Sequence, residues 1–204
     1  MVILATRVAA PHLYEASLET SLDFIDTLEH RRTSLTDHLP SVERAASWLV
    51  ERRLLDAADS DRAFAGVDAL DRLRRTRAAL RAVVDAAVGN HIVELGAVEE
   101  VNRILAQRQA LELVAVEDGI VLGRRHDGEP LDRALSALAE SLVRGVTSER
   151  RGRLRACANE SCRTVFFDAS RTPRRRWCDM STCGNQAKAA RHRARAKGDR
   201  APGA

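Results

Sequence analysis

Four cysteines, Cys157, Cys162, Cys178 and Cys183, stand in the last quarter of the chain, and none precedes them. Their spacing, C-x4-C-x15-C-x4-C, is two close pairs separated by a loop, the usual encoding of one tetrahedral Zn2+ site with each pair supplying half of the tetrahedron. Asn159, Glu160 and Ser161 in the first interval, and Asp179, Ser181 and Thr182 followed by Gly184 in the second, are turn formers that let the backbone curl until the sulfurs face one point. Four thiolates close the coordination shell, so the expected ion is one structural Zn2+, because a catalytic zinc keeps a position open. Disulfides and a redox-sensing use of the thiols are the alternatives. The opening MVILATRVAA is too short an apolar run for a secretory signal, so the thiols are expected in a reducing cytoplasm, which favours metal over bridges. His192 is near enough to replace a ligand, but beside four cysteines it is assigned to solvent or phosphate.

The same quarter is basic. From Glu149 to Ala204 fifteen Lys and Arg face five Asp and Glu, a balance of +10, whereas the preceding residues carry 18 against 24, a balance of −6. A cationic segment on an acidic body points to a polyanionic partner for the segment alone; a solvated Arg-rich tail is the plainer alternative. Arg174, Arg175 and Arg176 precede Trp177, and NQAKAARHRARAK after Cys183 lacks Pro and any interior Gly, so it reads as a basic helix starting at Gly184–Asn185. On that helix Lys188, Arg191 and Arg195 recur at i, i+3 and i+7 and share a face, with His192 beside it and Arg193 turned away. Asn185, Gln186 and Arg191 are the candidates for reading base edges; the other cations bind phosphate without sequence preference. Phe166, Phe167 and Trp177 are three of only seven aromatics in the chain. The two phenylalanines are assigned to packing, since a unit of about forty residues needs metal and a few large rings to fold. Trp177 is open to either role.

The run Cys157 to Arg195, CANESCRTVFFDASRTPRRRWCDMSTCGNQAKAARHRAR, resembles the CGNR-type zinc finger. The likeness rests on Cys157, Cys162, Phe167, Asp168, Ser170, Arg175, Arg176, Trp177, Cys178, Cys183, Gly184, Asn185 and Lys188, with Gln186 where the motif has arginine. If that arginine contacts phosphate, one such contact is missing here. Leu22-Asp23-Phe24-Ile25-Asp26-Thr27 and Trp48-Leu49 are similar to the ABATE domain of stress-induced transcription regulators. The two resemblances imply a zinc-binding, DNA-binding module attached to a helical regulatory domain.

These residues must be positioned by a chain of 204 residues that is 45% apolar and 30% charged, enough for one ordinary domain and an appendage, and too polar for a membrane span. Pro40–Ser41 open a helix with Val42, Ala45, Ala46, Leu49 and Val50 on its stripe. A longer helix from about Val67 to Val88 carries Leu70, Leu73, Leu80, Val84 and Ala87 and stops at Gly89–Asn90. Val98, Val101 and Leu105 mark a third, and Leu131, Leu135, Leu138 and Leu142 a fourth that Gly145 ends. ALELVAVEDGIVLGRR turns at Val116-Glu117-Asp118-Gly119 and reads as a β-hairpin. The expected fold is mainly α with one β-hairpin: a helical N-terminal domain over 1–147, a linker over 148–156, a zinc-finger module with a basic helix over 157–197, and a disordered tail over 198–204. The two parts are expected to fold separately, so that Cys178→Ser unfolds the C-terminal quarter and spares the body.

No G-x-x-x-x-G-K, G-x-G-x-x-G, G-x-S-x-G or H-E-x-x-H run occurs, so an enzyme is disfavoured and no catalytic residue is assigned. The leading reading is a cytoplasmic, nucleoid-associated transcription regulator on duplex DNA, with the helical body sensing a small-molecule effector or forming a homodimer, or serving as a plain scaffold. An RNA- or ribosome-associated protein, and a zinc- or thiol-responsive protein-interaction module, are the alternatives.

Overall fold

The computed structural model describes residues 16–31, 34–107, 109–116, 119–126, 128–159 and 161–198; side chains at 30–31, 109–112, 114, 116, 123–126 and 194–198 lie outside the description. Helix α1 (Leu18–Asp26) begins where Ser17 accepts a hydrogen bond from the Thr20 amide at 3.0 Å, and its buried residues are Ser21, Leu22, Phe24 and Ile25. A short antiparallel pair follows, β1 (Leu28–Arg31) and β2 (Ser34–Asp37). Helix α2 (Val42–Glu51) is capped by Ser41, with Ala45 and Leu49 buried on the expected stripe. A 3-10 turn (Ala57–Asp59) leads into the single turn α3 (Ser60–Ala63).

Helix α4 (Ala69–Gly89) is the longest, and Asn90 closes it in the left-handed conformation at φ 52° and ψ 45°, the geometry that ends helices. Its buried Arg77 gives Asp37 two hydrogen bonds, 2.7 and 2.9 Å, and gives Thr27 one at 3.0 Å, which anchors the first hairpin to the helix. Helix α5 (Leu95–Leu105) leads to the expected hairpin, β3 (Gln109–Val116) and β4 (Gly119–His126), whose turn residues Glu117 and Asp118 lie outside the described residues. Helix α6 (Pro130–Thr147) has Pro at its first turn and buries Leu131, Leu135, Leu138 and Leu142.

Gly145 does not stop α6, which runs on to Thr147. It is where α1 crosses: a Cβ there would lie 2.6 Å from a Leu18 methyl. The stretch expected as a linker holds a 3-10 turn (Glu149–Arg153) and strand β5 (Leu154–Ala156), which pairs with β6 (Val165–Phe167). A π-type turn (Met180–Gly184) precedes α7 (Asn185–Gly198); residues 199–204 of the expected tail lie outside the described ones. The protein is mainly helical, and two antiparallel pairs join the one expected from sequence. Leu154 and Val165 are buried in the same apolar cluster as the helices, and Phe167 packs against it. Among the described residues no helix is long and apolar enough to cross a membrane.

Candidate metal centre and nucleic-acid interface

The β5–β6 pair brings the first cysteine loop into place. The Cys157 amide donates to the Thr164 carbonyl at 3.0 Å, continuing the ladder, and Cys162 donates to the Asn159 carbonyl at 2.8 Å, closing a tight turn. Asn159 Oδ1 accepts from the Ser161 amide at 3.1 Å, the local bond that makes Asn a turn former. The second loop is built on Asp179, whose Oδ1 accepts from the Thr182 amide at 2.8 Å and from the Ser181 and Thr182 hydroxyls at 2.6 and 3.0 Å. These bonds hold the Asp179 carboxyl below its usual range, the Ser181 hydroxyl contributing most. Gly184 sits under the Met180 side chain, which is exposed and would have to shift to admit a Cβ there. The Ala158 amide donates to the Arg176 carbonyl at 2.7 Å and ties the loops together.

All four sulfurs lie within 4.8 Å of one another, and the Cys162–Cys178 and Cys178–Cys183 separations are both 3.8 Å. A tetrahedron with metal–sulfur bonds of about 2.3 Å has edges of about 3.8 Å, so the donors fit one Zn2+; a disulfide needs about 2.05 Å. Cys157, Cys162, Cys178 and Cys183 are free thiols, the first and last buried. Burial pushes the Cys178 and Cys183 thiols up; it opposes the Cys162 thiolate too, but hydrogen bonds led by Thr164 outweigh it and hold that thiol below its ordinary value. Zinc can therefore load only by displacing protons from at least part of the set.

The loop between β6 and Trp177 is held by Asp168, Ser170 and Arg175, residues of the motif to which sequence reasoning assigned no role in holding this loop. Asp168 is buried; its Oδ1 accepts from the Ser170 amide at 3.1 Å and hydroxyl at 2.5 Å, and its Oδ2 accepts from the Arg175 amide at 2.9 Å. Ser170 foremost, with Arg175 behind it, holds this carboxyl below its usual range. Arg153 donates to the Asp168 and Ser170 carbonyls at 3.0 and 2.9 Å, and Arg155 to the Pro173 carbonyl at 2.9 Å. The Asp-x-Ser spacing was the available signal, since it is a local turn motif.

The expected nucleic-acid residues separate into two groups. Arg175 lies 4.7 Å over the Phe166 ring and donates to the Cys178 carbonyl at 2.6 Å, so its guanidinium, though the residue is exposed, is engaged within the module. Asn185 donates to the Ser181 carbonyl at 2.9 Å, and Gln186 accepts from the Asn159 amide at 2.9 Å, joining α7 to the first cysteine loop. Arg174, Lys188, Arg191, His192 and Arg193 are exposed and, among the described residues, their side chains make no hydrogen bond or ion pair; Arg176 is exposed and stacks 5.2 Å from the Trp177 ring centroid. Arg193 points to the first cysteine loop, lining a groove with Gln186 and Trp177, while the Arg195 side chain lies outside the described ones.

The module is bolted to the body. Arg81 of α4 donates to the Arg163 carbonyl beside Cys162, to Asp26 at 3.1 Å and to Asp85 at 3.0 Å. Arg151 donates to the Ala87 carbonyl at 2.9 Å.

Comparison with protein-family models gives two matches in order: ABATE, described as "Putative stress-induced transcription regulator", over residues 18–149, and the CGNR zinc finger over residues 153–196. No curated protein matches the chain. The second match spans β5, the four cysteines and most of α7, and its metal type agrees with the sulfur geometry. With the first covering well over half of its length, the chain belongs to the ABATE family and carries a CGNR zinc finger behind that domain.

Proposed function

We propose that the protein is a transcription regulator, acting on the nucleoid in the cytoplasm, that binds duplex DNA through its zinc-stabilised basic module. One observation carries this reading: Arg174, Arg176, Lys188, Arg191 and Arg193 stand exposed on the module without an ion-pair partner among the described residues, while Arg153, Arg155 and Arg175 are engaged by the module's own carbonyls. Cations held out on a metal-stiffened scaffold suit phosphate contacts, and a closed four-sulfur shell suits a structural rather than a reacting metal. Residues 157–197 are the binding module in this reading, residues 1–147 the regulatory body, and 148–156 the strand-bearing segment shared by both.

The body offers an effector a groove of about 500 Å³ between α2 and the α3 turn, lined by Val42, Ala46, Val50 and Phe64 with Glu43 and Asp61. It offers a second copy the apolar face of the β3–β4 hairpin, where Leu113 and Ile120 are exposed.

Titration of labelled duplex DNA across a salt series, with structured RNA and heparin as competitors, tests the proposal. Five phosphate contacts predict that log affinity falls with log salt at a slope of about −4 to −5. Affinity for duplex DNA that is indifferent to salt and no better than for heparin overturns it; a preference for structured RNA selects the RNA-associated alternative.

A further inference from the structure

Trp177 behaves unlike the other aromatics of the module. Phe166 is buried under Arg175, and Phe167 packs on the core shared with the helical body, with Arg150 4.9 Å from its ring centroid. Trp177 is only half-buried and belongs to no such cluster among the described residues. It stands as the wall between two grooves. One, of about 470 Å³, runs between the first cysteine loop and α7, with Ala158, Ala187 and Ala190 as an apolar lining, the Asn159–Gln186 amide pair, and Arg193. The other, of about 610 Å³, is lined by Arg174, Arg175 and Arg176 with Asp179 and Met180.

We infer that the groove between the first cysteine loop and α7 is a slot for one unpaired nucleobase, stacked on Trp177 and hydrogen-bonded by Gln186, with the flanking phosphates in the arginine-lined groove. The parts match that ligand one by one. Alanine side chains leave room for a flat ring, and an indole supplies a stacking surface that accepts any base. The Gln186 carbonyl is engaged by Asn159 at 2.9 Å while its amine remains a donor, so a base acceptor facing it can be bound. The volume falls within the range of about 300–1,000 Å³ usual for small-ligand sites. An extended peptide would fill an apolar groove equally well, but the Arg174, Arg176 and Arg193 cations beside the indole complement a phosphate chain. This inference rests on the nucleic-acid reading above and narrows it: the preferred substrate is a duplex carrying an extruded or unpaired base.

The test uses the full-length, zinc-loaded protein and one labelled duplex with and without a single unpaired thymine. Trp48→Phe leaves Trp177 as the only indole, because the chain has two tryptophans. The bulged duplex is expected to bind about tenfold more tightly and to quench Trp177 emission, about the effect of one stacked base. Trp177→Ala should equalise the two duplexes, and Gln186→Ala, an exposed change that keeps the zinc, should narrow the difference with the indole still present. Equal affinity of the two duplexes without quenching overturns the slot and leaves the nucleic-acid reading standing. Retention of the preference in Trp177→Ala with zinc still bound also overturns it, as does quenching by an acidic peptide but by neither duplex. Failure of both duplexes to bind at low salt overturns the slot and the nucleic-acid reading together.

Discussion

Arg174 and Arg175 are chain neighbours with opposite tasks, which separates their expected phenotypes. Arg175→Ala removes a ring contact and the hydrogen bond to the Cys178 carbonyl, so it should lower the thermal stability of the zinc-loaded protein by about 1–2 kcal/mol and speed zinc loss to a chelator. Arg174→Ala should leave the melting temperature unchanged while reducing the salt slope of duplex binding by about 1. From sequence the three arginines were one basic cluster, because charge and spacing carry no record of which guanidinium lies over Phe166. Gln186 was legible as a departure from the motif, but its bond to Asn159 was not, since that depends on how the first cysteine loop meets α7. Asp26 makes a second prediction at this scale. Burial holds its carboxyl up to about 7, with Arg81 opposing and Asp23, Asp85 and Glu29 adding to the rise. Because the folded protein then binds this proton more tightly than the unfolded chain, with its value near 3.8, Asp26 costs stability progressively as pH rises from about 4 to about 7. Asp26→Asn should match the parent in urea midpoint at about pH 4 and exceed it at about pH 8; an equal difference at both values would contradict the assignment.

At the scale of elements, the helices were legible wherever an apolar stripe met a cap, as in α2 with Ser41 and α4 with Asn90. The short pairs were not. LEHR with SLTD and LRA with VFF offer four and three residues each and no sustained alternation, and tertiary contacts form them: Arg77 holds the first pair, and the body's apolar cluster holds the second. Gly145 was misread for the same reason, because a glycine near a helix end looks like a stop when the crossing helix is invisible. Gly145→Ala supplies the test. Its new methyl would meet Leu18 at 2.6 Å, so despite better helix propensity it should destabilise by about 1–3 kcal/mol, and Leu18→Ala should restore part of the loss.

At the scale of the whole molecule, body and module share one apolar interior. Leu154 and Val165 come from the strands that precede and follow the first cysteine pair, yet they are buried among side chains of the helical body. Sequence reasoning found the four cysteines that the fold gathers into one cluster able to hold zinc, because thiol spacing is local information. The expectation of separate folding rests on the charge contrast between the basic last quarter and the acidic body, and charge asymmetry says nothing about a shared apolar interior. Cys178→Ser, or zinc removal by chelation, should therefore lower the melting temperature of the body as well as the module, seen as one shifted transition by far-ultraviolet circular dichroism. Two separate transitions, with that of the body unmoved, would show that the interface is too weak to couple them.

The late position of Leu154 and Val165 has a consequence for shortened chains. A chain that stops near residue 148 lacks Leu154 and Val165, so the apolar side chains of the helical body that those residues cover would be left uncovered. A fragment stopping there should bind a hydrophobic dye and aggregate at concentrations where the full chain stays monodisperse by light scattering. Two residues from the module's strands would then decide whether the larger, helical part of the protein stays clear of self-association.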